Sequence, residues 1–256
     1  MSILRTRQFQ FLKSVLHHPN SIMSGTLQNF FEKGYLTKVP ITSAFSQFRE
    51  INNEIKMQCL ESDVEGVTIS ELGIICWIAC NTEPISIFEF GTADGRTALN
   101  LALNTSKQSR LWTLDLPIEN RMDYYEQEIK VIGKENFNIP FKDMIGKCYQ
   151  DTPLDYKITQ LYGDSTQFDF SPYYGKMDLI FIDANHDYSY VKSDSENALK
   201  MLSEKGIILW HDYPQWSGVW RYLDELYGNG LPLFHIKGTK LACYSRFLAT
   251  PNVDHK

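Results

Sequence analysis

The 256 residues include 25 Lys and Arg against 31 Asp and Glu, a formal net charge of −6, with 43% hydrophobic and 22% charged positions. A chain of this length buries roughly three quarters of its unfolded surface, which argues against disorder, collagen-like repetition and a disulfide scaffold. A pI near 5.5 and the lack of any dense Lys/Arg run argue against nucleic acid as partner, and no stretch approaches the roughly 18 apolar residues of a membrane span.

Taken in chain order, residues 1–66 read as helical pieces without strands. Leu4, Phe11, Leu12, Val15 and Leu16 share one helical stripe. Arg5, Arg7 and Lys13 precede the first acid, Glu32; this mimics a transit peptide, but an amphipathic accessory helix is the expectation. A polar break at His18–Ser21 leads to a short helix around Leu27–Phe31, and Pro40 opens a longer one carrying Phe45, Phe48, Ile51 and Ile55. Another helix runs from Ser70 to Cys80. Cys76 and Cys80 within it read as buried free thiols. Five cysteines without zinc spacing suit a reducing, cytoplasmic compartment.

From Pro84 the texture changes to short apolar runs alternating with helices. Strands are predicted at Ile85–Phe90, Leu111–Leu114, Ile158–Tyr162, Met177–Ile182 and Gly206–Trp210, with helices at Thr97–Leu103, Val191–Leu202 and Val219–Leu226. Leu231–Ile236 and Leu241–Tyr244, joined by Lys237–Lys240, read as a closing hairpin. Continuous apolar strands separated by helices predict a parallel sheet covered on both faces. Residues 117–156 are too many for a simple crossover, so a helix around Met122–Val131 and an insertion beside the crevice are expected. The divisions are an accessory segment 1–66, a main domain 67–248 and a tail 249–256.

The chemistry concentrates where strands end. Glu89-Phe90-Gly91-Thr92-Ala93-Asp94-Gly95-Arg96-Thr97 leaves the first long strand and enters a helix. Its glycines permit close backbone approach and the helix start offers free N–H groups. A dinucleotide site prefers Gly-x-Gly-x-x-Gly for pyrophosphate. The looser Glu-x-Gly-x-x-x-Gly here suits a nucleoside cofactor without phosphates, such as S-adenosylmethionine. Asp115 ends the next strand, where a carboxylate can accept ribose hydroxyls or cap a turn. Asp164, in Gly163-Asp164-Ser165, can accept from an adenine amino group or make an Asx turn. Asp183-Ala184-Asn185-His186 and His211-Asp212 end the last two parallel strands. If neighbours, Asp183 and Asp212 could share a hard divalent cation or merely cap helices. His186 could be a solvated loop residue, and His211 a packed one or a ligand.

These runs together resemble class I S-adenosylmethionine-dependent O-methyltransferases of the catechol-type and macrolide-sugar group, over roughly Ile85–Arg246. The motifs that carry the likeness are Ile158–Ser165, Asp178–His186, Trp210–Tyr213 and Gly238–Ala242. The resemblance implies an α/β, Rossmann-like, seven-stranded and mostly parallel sheet with a C-terminal antiparallel hairpin. It implies that Glu89, Gly91, Ala93, Gly95 and Thr97 line the methionine portion of the cofactor, Asp115 and Leu116 hold ribose, and Asp164 and Ser165 hold adenine. Asp183 would serve both cofactor pocket and metal, Asp183 and Asp212 would bind Mg²⁺, and His186 would be the catalytic base. His211 stands where such relatives carry an acidic metal ligand. The implied substrate is a small-molecule hydroxyl, of a sugar or secondary metabolite, and a homo-oligomer, a dimer, is expected.

Two other readings compete. Tyr188-x-x-x-Lys192 imitates a short-chain NAD(P)-dependent dehydrogenase, but Gly175 stands where its serine belongs and the glycine spacing is wrong. A catalytically silent cofactor-binding module is the third possibility.

Overall fold

The computed structural model describes residues 35–48, 53–61, 66–117, 120 and 145–246. Eight strands form one sheet in the order β1-β7-β8-β6-β5-β2-β3-β4. They are β1 Lys38–Val39, β2 Ser86–Phe90, β3 Arg110–Asp115, β4 Ile158–Tyr162, β5 Met177–Ile182, β6 Leu202–Trp210, β7 Phe234–Ile236 and β8 Ala242–Ser245. β8 runs antiparallel to β6 and β7, and every other pairing is parallel. The helices are α1 Ile41–Ala44, α2 Ile69–Thr82, α3 Arg96–Leu103, α4 Tyr188–Met201 and α5 Ser217–Gly228.

The period-2 alternation of strand side chains divides the interior into two cores. Ile87, Leu111, Leu179, Phe181, Ile207 and Leu209 face α2 and α3, meeting Leu72, Ile75, Ile78 and Leu99. Their neighbours Phe88, Phe90, Ile180, Ile182, Ile208 and Trp210 face the opposite side, against Val191 and Ala198 of α4 and Val219 and Leu223 of α5. Two buried faces explain why these strands read as unbroken apolar runs.

Two expectations are corrected. The sheet has eight strands, not seven, because Lys38–Val39 pairs parallel with β7 in a segment read as strandless. The long helix from Pro40 is likewise replaced by α1 and a 3₁₀ turn at Ser46–Phe48. A tertiary contact explains part of this. Asn100 on α3 and Asn104, which caps its C-terminus, exchange two hydrogen bonds each with the backbone of Gln58 and Lys56 respectively, at 2.7–2.9 Å. These amides satisfy an extended backbone and hold it out of helical geometry. The predicted helices at Leu4–Leu16, Leu27–Phe31 and Met122–Val131, and the tail 249–256, lie outside the described residues. All five cysteines are free; Cys76 is buried, whereas Cys80 is only half-buried. Among the described residues no helix is long and apolar enough to cross a membrane.

From β2 the chain winds outward through β3 and β4, then returns to place β5 and β6 on β2's other side. β2 and β5 therefore flank the point where strand order reverses, and their carboxyl ends open a crevice. Gly91 shows how closely the two walls approach. Its φ is +90°, and a Cβ there would lie 2.1 Å from the Asp183 carbonyl oxygen. Gly91→Ala should destabilise by more than the ~1–3 kcal/mol of a strained backbone position, read from denaturant midpoints. Gly175 also has positive φ, +70°, but nothing within 4 Å of its Cβ position. Gly175→Ala therefore provides the control, and equal losses at both sites would contradict the close-approach argument.

Candidate active site

Five loop starts meet above the sheet, and four are fixed by one further hydrogen bond at the strand ends. Gly91, Gly163, Asp183 and His211 donate their N–H to the carbonyls of Leu114, Asp115, Phe90 and Ile182 at 2.9–3.0 Å. The side chains after β2, β3, β4, β5 and β6 are thereby presented at one edge.

The loop after β2 is shaped from below. One Asp115 oxygen accepts the N–H of Thr92 and of Ala93, at 3.0 and 2.9 Å, and the other accepts that of Leu116 at 2.7 Å. Gly95 caps α3 in left-handed geometry, with the Tyr149 ring packed where a Cβ would stand. Beneath the loop, Tyr149 donates to Gln160, Gln160 donates to Thr92, and the Thr92 and Thr113 hydroxyls lie 2.7 Å apart. Thr113 then donates to Glu89. Sequence reasoning missed Tyr149 and Gln160, and no local motif signals either.

Glu89 is 1% exposed, and its Oε1 has no hydrogen-bond partner among the described residues. Burial pushes its carboxyl well above the usual range, and the charges of Asp183, Asp115 and Asp94 add to the rise. An orphaned buried oxygen amid further carboxylates suits a cationic ligand. Thr97 is half-buried in the first turn of α3, and Leu116 half-buried after Asp115. Asp164 makes the turn that was its structural alternative: its Oδ1 accepts from the N–H and hydroxyl of Thr166 at 2.9 and 2.8 Å. Ser165 beside it is half-buried.

On the other wall stand Asp183, His186, His211 and Asp212. His186 Nε2 lies 2.9 Å from Asp212 Oδ2, in contact but off hydrogen-bond alignment. The imidazole stacks on Trp216, with ring centroids 5.2 Å apart and planes 2° from parallel. Gly218, the second residue of α5, lets the backbone approach this loop, since a Cβ there would meet the His186 carbonyl oxygen at 2.0 Å. Asp212 adopts φ +61°, uncommon outside glycine. Its Oδ1 accepts from Lys240 Nζ at 2.9 Å and lies 3.4 Å from His211 Nδ1. Burial alone would raise the Asp212 carboxyl. Its contacts with His186, His211 and Lys240 instead hold it far below the usual carboxylate range.

His211 is fully buried. Its Nδ1 lies 3.1 Å from Asp183 Oδ1 and its Nε2 3.3 Å from Glu71 Oε2. Burial would lower its pKa, but the Asp183 charge and the bonds to Asp183, Asp212 and Glu71 carry it up to about 11. Glu71 enters through local helix chemistry. It is the N3 partner of Thr68 in the capping box that starts α2. Its carboxylate also accepts from the Lys240 N–H at 2.6 Å. Burial would raise it, yet these bonds bring it down to about 2. Lys240 lies inside the Gly238–Ala242 motif but was given no role there, and only the capping-box pattern, which concerns helix start, marks Glu71.

Ligand atoms of Asp183, His186 and Asp212 lie within 4.8 Å of one another. The set nevertheless fits magnesium poorly. Magnesium takes oxygen ligands in near-ideal octahedra and keeps several waters. Here Asp212 already faces Lys240 on one oxygen and His186 on the other, and His211 lies against both carboxylates. An added dication would sit among like charges. His211 itself has both ring nitrogens directed at carboxylates, so neither is offered to a metal.

The dehydrogenase signature does not assemble. Tyr188 donates its hydroxyl to Glu225, and Lys192 pairs with Glu196 instead.

A family model described as a methyltransferase domain matches residues 88–213. No curated protein matches the sequence. Among solved structures, the O-methyltransferase TomG of Streptomyces achromogenes, involved in tomaymycin synthesis and bound to S-adenosylmethionine, shares 14% identity at TM-score 0.46, over 86% of this chain and 95% of that one. A Bacillus cereus O-methyltransferase with S-adenosylhomocysteine shares 17% at 0.46, over 80% and 89%. A Podospora anserina methyltransferase with S-adenosylhomocysteine shares 17% at 0.45, over 89% and 98%.

Proposed function

We propose that the chain, whose residues 88–213 match a methyltransferase-domain model, moves a methyl group from S-adenosylmethionine to a hydroxyl of a small molecule, of the sugar or secondary-metabolite class. The observation that carries the cofactor assignment is the use of the glycine loop's N–H groups. A dinucleotide needs such groups for pyrophosphate. Here Asp115 takes those of Thr92 and Ala93, and Asp94 and Asp183 stand near enough for their charges to raise the Glu89 carboxyl. That field repels a pyrophosphate and attracts a cation.

When bound, S-adenosylmethionine supplies a positively charged sulfonium whose methyl carbon is open to displacement, the C–S electron pair leaving with sulfur. Glu89 offers its unpartnered oxygen to the cationic methionine portion, with Gly91, Ala93, Gly95 and Thr97 forming the adjacent wall. Asp115 and Leu116 face ribose, and Asp164 with Ser165 faces adenine. His186 receives the acceptor's proton. Its Nε2 is in contact with Asp212 at 2.9 Å, which leaves Nδ1 as the nitrogen that takes the proton. Trp216 holds the ring flat from one side. The carboxylates that would hold the magnesium ion implied by the resemblance are already engaged by His186, His211 and Lys240.

The test is ligand-induced stabilisation. S-adenosylhomocysteine should raise the melting temperature by mass action, and Asp115→Ala should remove most of that rise. A rise with NADH and none with S-adenosylhomocysteine would sink the assignment.

A further inference from the structure

Asp183 and Asp212 stand where a divalent ion would be expected, and the chain brings its own cations to them. His211 lies between the two carboxylates, its Nδ1 3.1 Å from Asp183 Oδ1 and 3.4 Å from Asp212 Oδ1. Its second nitrogen faces Glu71 Oε2 at 3.3 Å. Ionised carboxylates only accept hydrogen bonds, so a ring with both nitrogens on carboxylates carries both protons. The side chain is 0% exposed, so its charge is balanced by these carboxylates and not by water. Lys240, in the turn between β7 and β8, sets its ammonium 2.9 Å from Asp212 Oδ1 and is 27% exposed. Its backbone is clamped on both sides, the N–H donating to Glu71 at 2.6 Å and the carbonyl accepting from Tyr213 at 2.9 Å. His186 touches the other oxygen of the same Asp212 carboxylate. Base and ammonium thus share one carboxylate, and Glu71 joins the two cationic residues from the far end of the sequence.

We propose that His211 and Lys240 are the resident cation of this site and take the place of a divalent metal. His211 is the buried, fixed half that neutralises Asp183 and Asp212. Lys240 is the accessible half, a positioning residue whose ammonium keeps Asp212 turned toward His186 and adds positive charge beside the acceptor oxygen as its proton leaves. The role described for Lys240 rests on the methyl-transfer reading; the absence of a metal requirement at the two aspartates does not.

Binding of Mn²⁺, followed by the electron paramagnetic resonance of the free ion, tests this on the full chain. The wild type should show no saturable Mn²⁺ site. His211→Asp with Lys240→Met, which restores acidic ligands and removes the ammonium, should bind at least about tenfold more tightly, a difference of about 1.4 kcal/mol. That gain should vanish on adding Asp183→Asn. Should the double variant fail to fold, Lys240→Met alone should show the gain in smaller measure. Saturable wild-type binding abolished by Asp212→Asn would overturn the proposal, as would folded variants with no gain. S-adenosylhomocysteine stabilisation is read in parallel on each protein. Its absence from the wild type would defeat the methyl-transfer reading, whereas the Mn²⁺ result judges the resident cation separately.

Discussion

His186→Ala should lower methyl transfer by roughly 10²–10⁴-fold, the range associated with losing a general base, while the stabilisation by S-adenosylhomocysteine is kept. The separation follows from position. His186 is on the wall after β5, 37% exposed and stacked on Trp216, whereas the groups assigned to the cofactor follow β2, β3 and β4. A hydroxyl is a poor nucleophile until its proton is removed, so loss of the base should appear in turnover and not in cofactor affinity. Release of S-adenosylhomocysteine, measured with an acceptor found in a panel of phenols and glycosides, reads the loss of turnover. Wild-type turnover by His186→Ala across neutral pH would leave His186 as a loop residue and require another base.

The largest stability effect should come from His211→Gln. The glutamine keeps polarity but not charge, leaving Glu71, Asp183 and Asp212 facing one another without the imidazolium. Breaking a buried ion pair by removing one partner typically costs about 3–5 kcal/mol, and a loss of that order is expected in denaturant unfolding. Its pH dependence follows from the directions of the shifts. His211 is raised from 6.5 to about 11 in the folded protein, so its contribution is complete below about pH 6.5 and fades as pH rises toward 11. Glu71 is lowered from 4.5 to about 2, so its contribution is complete above about pH 4.5 and is lost as pH falls toward 2. The gap between wild type and variant should therefore be widest between about pH 4.5 and 6.5 and narrow on both sides. The difference is the quantity to plot, because burial also raises Asp194 to about 7 and Asp224 to about 6. Those groups bend the pH curve of both proteins alike. A gap that stays constant with pH would mean that His211 is neutral in the fold.

Much of the scaffold could be read from residue order alone. Ile158–Tyr162 and Met177–Ile182 occupy the predicted spans, and β2, β3 and β6 begin within a few residues of theirs. β2, β3 and β5 are runs closed by Gly91, Asp115 and Asp183, and the runs of β2 and β5 are apolar because both faces of those strands are buried. The same boundaries delivered Glu89, Asp115, Asp183 and Asp212 to one edge, because residues that end parallel strands share an end of the sheet. Asp164 was ambiguous in sequence, and its Oδ1 bonds to Thr166 show the turn role that spacing alone allowed. The helix expected from Pro40 through Ile55 does not extend over residues 53–55, and the amides that bind the backbone of Lys56 and Gln58 belong to Asn104 and Asn100, more than forty residues away.

What residue order determined, then, was the periodicity, and with it the sheet, the crevice and the carboxylates around it. The tertiary structure decided what those carboxylates face. Glu71 reaches His211 across 140 residues and the Lys240 N–H across 169, separations at which no local pattern carries information. Periodicity is a property of neighbours along the chain. The charge of a buried histidine is instead set by whichever acids fold around it, through Coulomb interactions that weaken with distance in space and strengthen away from water.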